Sequence, residues 1–477
     1  MIQSIGQVAL LPLYAAAGAA LLVLIADLVT GRRGVVIATA AAGAVVTAAA
    51  AIPSSGRPAT FCSGAACSWV PAPRAATVAV LFAALTLGVL ALSVPALGSG
   101  TAPAGEACFL LLASMTGGVV IGYAGDLITL IVGLETLTLP LYVLVGLRRF
   151  APGDRVTTSG ASAAVTFFLV SVVSTTLSLL GAALLYASTG ALHLALLAPV
   201  AGPLAPLATV GIALVVIGFA FKVAAVPLHA WAPPTYDGAP LPIAAYLSTA
   251  SKLGGVIALV GVVPRLPSGP VLAVLAVLTM TVGNLVALRQ TRMVRLLAWS
   301  SVAQAGYILA PLVAGARGVT AAVAYAAFFV VLEFLAFGAV VALRPPGADG
   351  GEIMAYRGAA RRSPWLAAVF VLALAGLAGL PPGLAGLFAK ITIVDALIDT
   401  GWGWLAGVVA INAVIALAYY VRTAAVPYAR PVGIAVADLR PPAFPVRWPV
   451  ATALAVAVGV AVVLGFAPQL LFDGLTP

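Results

Sequence analysis

Charge is what this chain has least of. Only 8% of its 477 residues are Asp, Glu, Lys or Arg, against roughly 25% in a soluble domain. Together with 63% hydrophobic residues and a mean hydropathy of +1.18, that scarcity excludes a soluble globular protein and points to one built almost entirely of membrane spans. Cysteine is nearly absent. Cys62 and Cys67 share one loop and Cys108 lies in an apolar run, so no metal-finger spacing and no iron–sulfur ligand set can be assembled. Whether Cys62 and Cys67 are bridged or remain thiols is open. Histidine is limited to His193 and His229, which argues against a buried bis-histidine haem. No strand-borne G-x-G-x-x-G, P-loop or nucleophile elbow is present. The N-terminal MIQSIGQVALLPLY has no basic n-region and runs into a full-length span, so no cleaved signal peptide is expected.

What remains is apolar and long. Runs able to cross about 30 Å of hydrocarbon recur about fourteen times, and helix is the default because it satisfies its own backbone in lipid. The expected fold class is an all-α polytopic membrane protein. Two runs are irregular. The 206–236 region carries Pro227, Pro233 and Pro234, and the 364–399 region, too long for one span, is cut by Gly379, Pro381 and Pro382. Proline removes a backbone donor and clashes with the preceding turn, so both are candidate discontinuous helices. They fall in different halves of the chain, as internally repeated transporters arrange them.

The net charge of +10 is not gathered into a nucleic-acid patch; the bases lie in short loops. With the N-terminus outside, the inside loops hold Arg32, Arg33, Arg148, Arg149, Arg155, Arg289, Arg292, Arg295, Arg344, Arg357, Arg361, Arg362, Arg422, Arg430, Arg440 and Arg447. The outside loops hold Arg57, Arg74, Arg265 and Arg317. Sixteen against four is a strong positive-inside bias, and an even span count puts the C-terminus outside as well.

Every loop base is arginine. The three lysines, Lys222, Lys252 and Lys390, all fall inside apolar runs. Arginine is a fixed charge, whereas a buried lysine titrates readily, so these positions read as groups that release a proton. Snorkelling from a helix end is the bland alternative. Glu135 is mid-span in LITLIVGLETLTLPLYVLVGLRR and must be neutral or paired, with a lysine on another helix as the obvious partner. Glu333, in FFVVLEFLAFGAV, either joins a relay or hydrogen-bonds a neighbouring helix. His229 follows Lys222 by seven residues, about 10 Å along an unbroken helix, and suits a shuttle. His193 reads as an inert loop residue, and Asp126 as a structural one.

Four stretches carry a resemblance: GLETLTLPLYVLVGLRR, FKVAAVPLHAWAPPTYDGAPLPIAAYLSTASK, GNLVALRQTRMVRLLAWSSVAQAGYIL and LAGLPPGLAGLFAK. In this order, from about Gly122 to Lys390, they resemble the signature blocks of the subunit N family of bacterial respiratory complex I, the proton-pumping NADH–quinone oxidoreductase. The resemblance implies fourteen helices with two inverted five-helix repeats, each containing a broken helix. The expected divisions are 1–106 (N-terminal helices), 107–263 (first repeat), 270–424 (second repeat) and 448–477 (C-terminal helix). It implies that Glu135 and Lys222 form a buried ion pair, that Lys252 is the central relay lysine and Lys390 the exit-side lysine, and that His229 lies between the first two lysines. Glu333 departs from the family pattern, which implies a neutral asparagine there. No cofactor is expected on this chain; NADH, FMN, iron–sulfur clusters and quinone belong to partner subunits. The expected partners are an antiporter-like M subunit, small K- and J-type subunits and the lipid bilayer, with no nucleic acid, in a bacterial plasma membrane with both termini on the periplasmic side. A multisubunit sodium/proton antiporter, whose D-type subunits share the fold, is the alternative.

Overall fold

The computed structural model describes residues 5–64, 66–147, 155–346, 348–381, 384–430 and 446–469. Arg148, Arg149, Arg440 and Pro382 lie outside them. Within them run α1 (Leu11–Thr30), α2 (Arg33–Ser54), α3 (Pro73–Ser99), α4 (Ala104–Tyr123), α5 (Leu127–Gly146), α6 (Arg155–Thr189), α7 (Ala205–Lys222), α8 (Ala232–Gly238), α9 (Leu241–Tyr246), α10 (Lys252–Val262), α11 (Gly269–Ala287), α12 (Met293–Leu312), α13 (Val319–Leu343), α14 (Ala359–Arg362), α15 (Pro364–Ala378), α16 (Leu384–Asp399), α17 (Gly403–Ala425) and α18 (Trp448–Phe466). Among the described residues, twelve helical stretches are long and apolar enough to cross a membrane. The chain divides into two compact units, Met1–Val223 with Ala250–Val271, and Ala224–Thr249 with Leu272–Pro477.

In the first unit α1 to α4 pack on one another, α5 packs on α4, α6 on α5, and α7 on α6, while α10 lies against α4, α5 and α7. The α6–α7 contact is close because Gly218 has no side chain. A Cβ there would come 2.0 Å from Ser178 Oγ, and Ser174 Oγ instead donates to the Gly218 carbonyl at 2.7 Å. Small residues and interhelical hydroxyl bonds are how helices associate where lipid removes the hydrophobic drive. The lipid-type faces of α1 and α2 remain apolar, with Leu21, Leu22, Ile25, Leu28 and Ile52 all exposed. Between α2 and α3 the sequence reading had no strand, yet a hairpin forms. β1 (Thr60–Ser63) pairs antiparallel with β2 (Ala66–Trp69). Cys62 stands opposite Cys67 with Cα atoms 3.9 Å apart, and the two are bridged. Trp69 anchors the hairpin by stacking on Tyr123 at 4.6 Å and donating its indole N–H to the Ala9 carbonyl.

In the second unit α12 is enclosed almost along its whole length, with α8, α13, α16 and α17 packed on it. That enclosure explains how a helix with Ser300, Ser301, Gln304 and Tyr307 persists in a membrane protein: its polar side chains meet protein rather than lipid. α13 packs in turn on α9, α15, α16 and α18.

Both irregular runs break, with one correction to where the first one does. The segment expected to continue as helix to His229 stops at Lys222. Ala224 adopts a left-handed φ of +61°, so the helical ladder does not continue past Lys222, and His229 is not on the helix that carries Lys222. A left-handed non-glycine residue costs roughly 1–2 kcal/mol, and neighbouring contacts hold the turn: Val226 N–H donates to Thr279 Oγ1 at 2.9 Å. The later run breaks at Gly379, where φ is +84°, leaving α15 and α16 as separate half-helices. A third irregularity had no sequence signal in proline or glycine: a π-type turn over Leu247–Ser251 leads directly into Lys252.

Candidate functional sites

The three lysines fall in two places. Glu135, Lys222 and Lys252 belong to the first unit; His229, Glu333 and Lys390 belong to the second.

In the first unit, Lys222 is the last residue of α7 and points at α5 and α6. Its Nζ donates to Glu135 Oε1 at 2.7 Å, to Thr138 Oγ1 at 3.0 Å and to Ser171 Oγ at 3.0 Å. An ammonium has three N–H donors, so all three are satisfied, one by a charge and two by neutral hydroxyls. Thr175 Oγ1 donates to the same Glu135 oxygen at 2.5 Å. Tyr142 OH donates to Ser171 at 2.5 Å and lies 3.5 Å from Glu135 Oε2. The pair is asymmetric: side-chain exposure is 4% for Lys222 and 27% for Glu135. The ammonium is sealed in and the carboxylate keeps an open side. Lys252 begins α10 and is fully buried. Its helix meets α7 at Gly255, where a Cβ would come 2.9 Å from Lys222 Cβ, and α5 at Gly254, where one would come 2.4 Å from Leu137 Cδ2. Two missing side chains thus carry Lys252 into the helix packing that surrounds Lys222.

In the second unit, Lys390 is buried on α16 and donates to two backbone carbonyls, Leu377 O at 3.1 Å and Ala378 O at 2.8 Å. These are the last residues of α15, whose final carbonyls lose helical partners at the Gly379 break and carry the negative end of the helix dipole. Gln304 of α12 binds the same Leu377 carbonyl at 3.2 Å and Tyr420 OH at 2.9 Å. Tyr325 OH donates to Gln304 Oε1, and Tyr420 OH meets Ser300 Oγ at 2.5 Å. The Tyr307 ring lies 5.4 Å from Lys390 Nζ. Glu333 is completely buried on α13, within electrostatic range of Tyr236 and Tyr420.

His229 is half-buried. Its Nδ1 lies 3.3 Å from the Pro227 carbonyl, so the tautomer that donates there leaves Nε2 as acceptor. The ring centroid is 5.1 Å from that of Trp299 on α12. His193 stays in a turn, bridged through its backbone to Asp126. Asp126 caps α5, accepting from Thr129 N–H at 2.7 Å, a structural use.

Sequence reasoning named the charged groups and missed their neutral holders. Thr138 and Tyr142 follow Glu135 at i+3 and i+7, one helix face. Ser171 and Thr175 are an i, i+4 pair on α6, so their periodicity was available. The carbonyls of Leu377 and Ala378 carry no side-chain signal at all.

Residues 124–416 match the family described as NADH:quinone oxidoreductase/Mrp antiporter, transmembrane. The chain is similar to the NADH-quinone oxidoreductase subunit N of Salinispora tropica, 60% identical over 99% of each chain. It also resembles a chain of respiratory complex I from Thermus thermophilus solved with bound aureothin, at TM-score 0.79 and 29% identity over 97% of this chain and 98% of that one. A chain of the Mrp complex from Dietzia sp. DQ12-45-1b shares the fold at TM-score 0.80 and 22% identity, over 98% of this chain and 96% of that one. Fold and buried lysines together define an antiporter-like, multi-pass membrane subunit. Among such subunits, the chain belongs to the NADH-quinone oxidoreductase subunit N family.

Proposed function

We propose that this chain moves protons out of the cytoplasm as a membrane subunit of an NADH:quinone oxidoreductase, with Glu135, Lys222, His229, Lys252 and Lys390 as the proton-carrying groups and Glu333 as an accessory to the last of them. One observation carries the reading: a sealed ammonium held by a single charge, Glu135, and two hydroxyls. While Glu135 is ionised and close, the charge on Lys222 is compensated. When the pair parts, an uncompensated ammonium in an apolar site is costly and the proton moves on. Lys252 is the receiving lysine in the same unit; His229 and Lys390 serve the second unit.

Each proton driven against 100 mV costs about 2.3 kcal/mol, so the energy comes from outside the chain, from quinone reduction in partner subunits that hold the flavin, the iron–sulfur clusters and the quinone. Antiporter-like M and small K- and J-type subunits are the neighbours this reading requires. The arginine asymmetry supports periplasmic N- and C-termini, and residues 107–263 and 270–424 are the two inverted repeats of the scheme. The likeness to the Mrp complex bears on the fold alone.

The test is NADH-driven acidification of inverted membrane vesicles. Lys222→Met or Glu135→Gln in the assembled complex abolishes proton uptake coupled to NADH oxidation. Full uptake in both variants would remove the pair from the mechanism.

A further inference from the structure

Four charges that the relay does not use gather in the second unit, outside the spanning segments. The Arg292 guanidinium grips Asp237 with Nε–Oδ2 at 2.8 Å and Nη2–Oδ1 at 3.1 Å, and its Nη2 also reaches Asp349 Oδ2 at 3.0 Å. Arg344 holds Asp349 in turn, through Oδ1 at 3.3 Å and the backbone carbonyl at 3.0 Å. Backbone bonds from Met293 to Gly351 and from Ile353 to Thr291 fix the same loop.

The two central charges each sit at the unfavourable end of their own helix. Asp237 is in the last turn of α8, where the dipole disfavours an anion, and Arg292 is the N-cap of α12, where it disfavours a cation. Neither position is explained by its own helix; both are explained by the pair. The Asp237 contacts, and then those to Asp349, hold the Arg292 guanidinium protonated even more firmly than an ordinary arginine.

α8 is one of the least self-sufficient elements in the protein. It has seven residues, too few to be stable as an isolated helix, and it follows the break at Pro227. It is fastened to α12 at both ends. His229, three residues before α8, sets its ring against Trp299 with centroids 5.1 Å apart and planes tilted by 57°, and Asp237, near its far end, is held by Arg292. Arg292 and Trp299 are seven residues apart, about 10 Å along α12, which matches the length of α8 running antiparallel.

We propose that the Asp237–Arg292 clamp, braced by Asp349 and Arg344, is the device that holds His229 in register on α12, making Arg292 and Asp237 positioning residues for proton transfer. The part that concerns transfer rests on His229 being a relay group; the part that concerns position does not.

The test uses the assembled complex in native membrane vesicles and two readings. The first is modification of His229 by diethylpyrocarbonate, read by mass spectrometry relative to His193 of the same chain. The second is protons moved per NADH oxidised. In Arg292→Gln and in Asp237→Asn, His229 becomes several-fold more reactive relative to His193 and the proton ratio falls. Arg292→Lys, which keeps the charge and loses the fork, lies between these variants and the parent. Asp237→Glu restores both readings toward the parent. If one of the two neutral variants fails to assemble, the other decides. His229 reactivity equal to the parent's in an assembled neutral variant overturns the clamp. Raised reactivity with an unchanged proton ratio upholds the clamp and removes His229 from the relay.

Discussion

At the scale of single residues, the first site is an ammonium whose every N–H is spoken for. Thr138 and Ser171 supply no charge, but each accepts one of those donors. Leaving a buried donor unsatisfied costs about 1–3 kcal/mol. Thr138→Val and Ser171→Ala are therefore expected to lower the thermal midpoint of the purified complex and to slow proton uptake without abolishing it. Thr138→Ser, which restores the hydroxyl, should recover most of both. Lys222→Arg should not rescue pumping, because arginine keeps its proton. The charged members of this site were legible in the sequence, since an ionisable group in an apolar run is conspicuous. Their hydroxyl partners left only a helical period that does not by itself mark a site, since serine and threonine in a spanning helix usually bond their own i−4 carbonyl, as Thr136 and Thr138 do here.

At the scale of elements, the breaks were legible and their limits were not. Proline marked both irregular runs. The helix nevertheless ends at Lys222, five residues before Pro227, because the turn is set by Ala224 in a left-handed conformation, which alanine does not advertise. The π-type turn before Lys252 is equally silent in composition, since it comes from local packing. The hairpin at Thr60–Trp69 was hidden by its brevity. Gly379 is the element-scale test. Its φ of +84° lies where only glycine is at ease, and a Cβ there would stand 3.4 Å from Lys390 Nζ. Gly379→Ala should cost about 1–2 kcal/mol, shift the α15 carbonyls that hold Lys390, and reduce protons moved per NADH more than NADH oxidation itself. Equal losses in both rates would mean the break has no special bearing on Lys390.

At the scale of the whole molecule, composition alone carried the class. A chain with 8% charged residues has few soluble options, and the distribution of its arginines predicts an orientation that can be measured. The bridged Cys62–Cys67 hairpin is the handle. In intact spheroplasts, an impermeant maleimide should add to these residues only after treatment with a reductant, and Cys108, buried in α4, should stay unlabelled. Labelling that requires opened membranes would invert the orientation. The neutral holders, the left-handed alanine and the paired charges at helix ends were beyond composition, because each depends on which helices meet.

The two lysine holders differ in kind. Glu135 is a carboxyl group, which chemistry allows to exist with or without a charge. The peptide oxygens of Leu377 and Ala378 cannot be titrated by any physiological acidity. Lys390 is thus gripped by a helix tip that protonation cannot loosen, so in the proposed relay the release of its proton calls for a pull rather than a neutralisation.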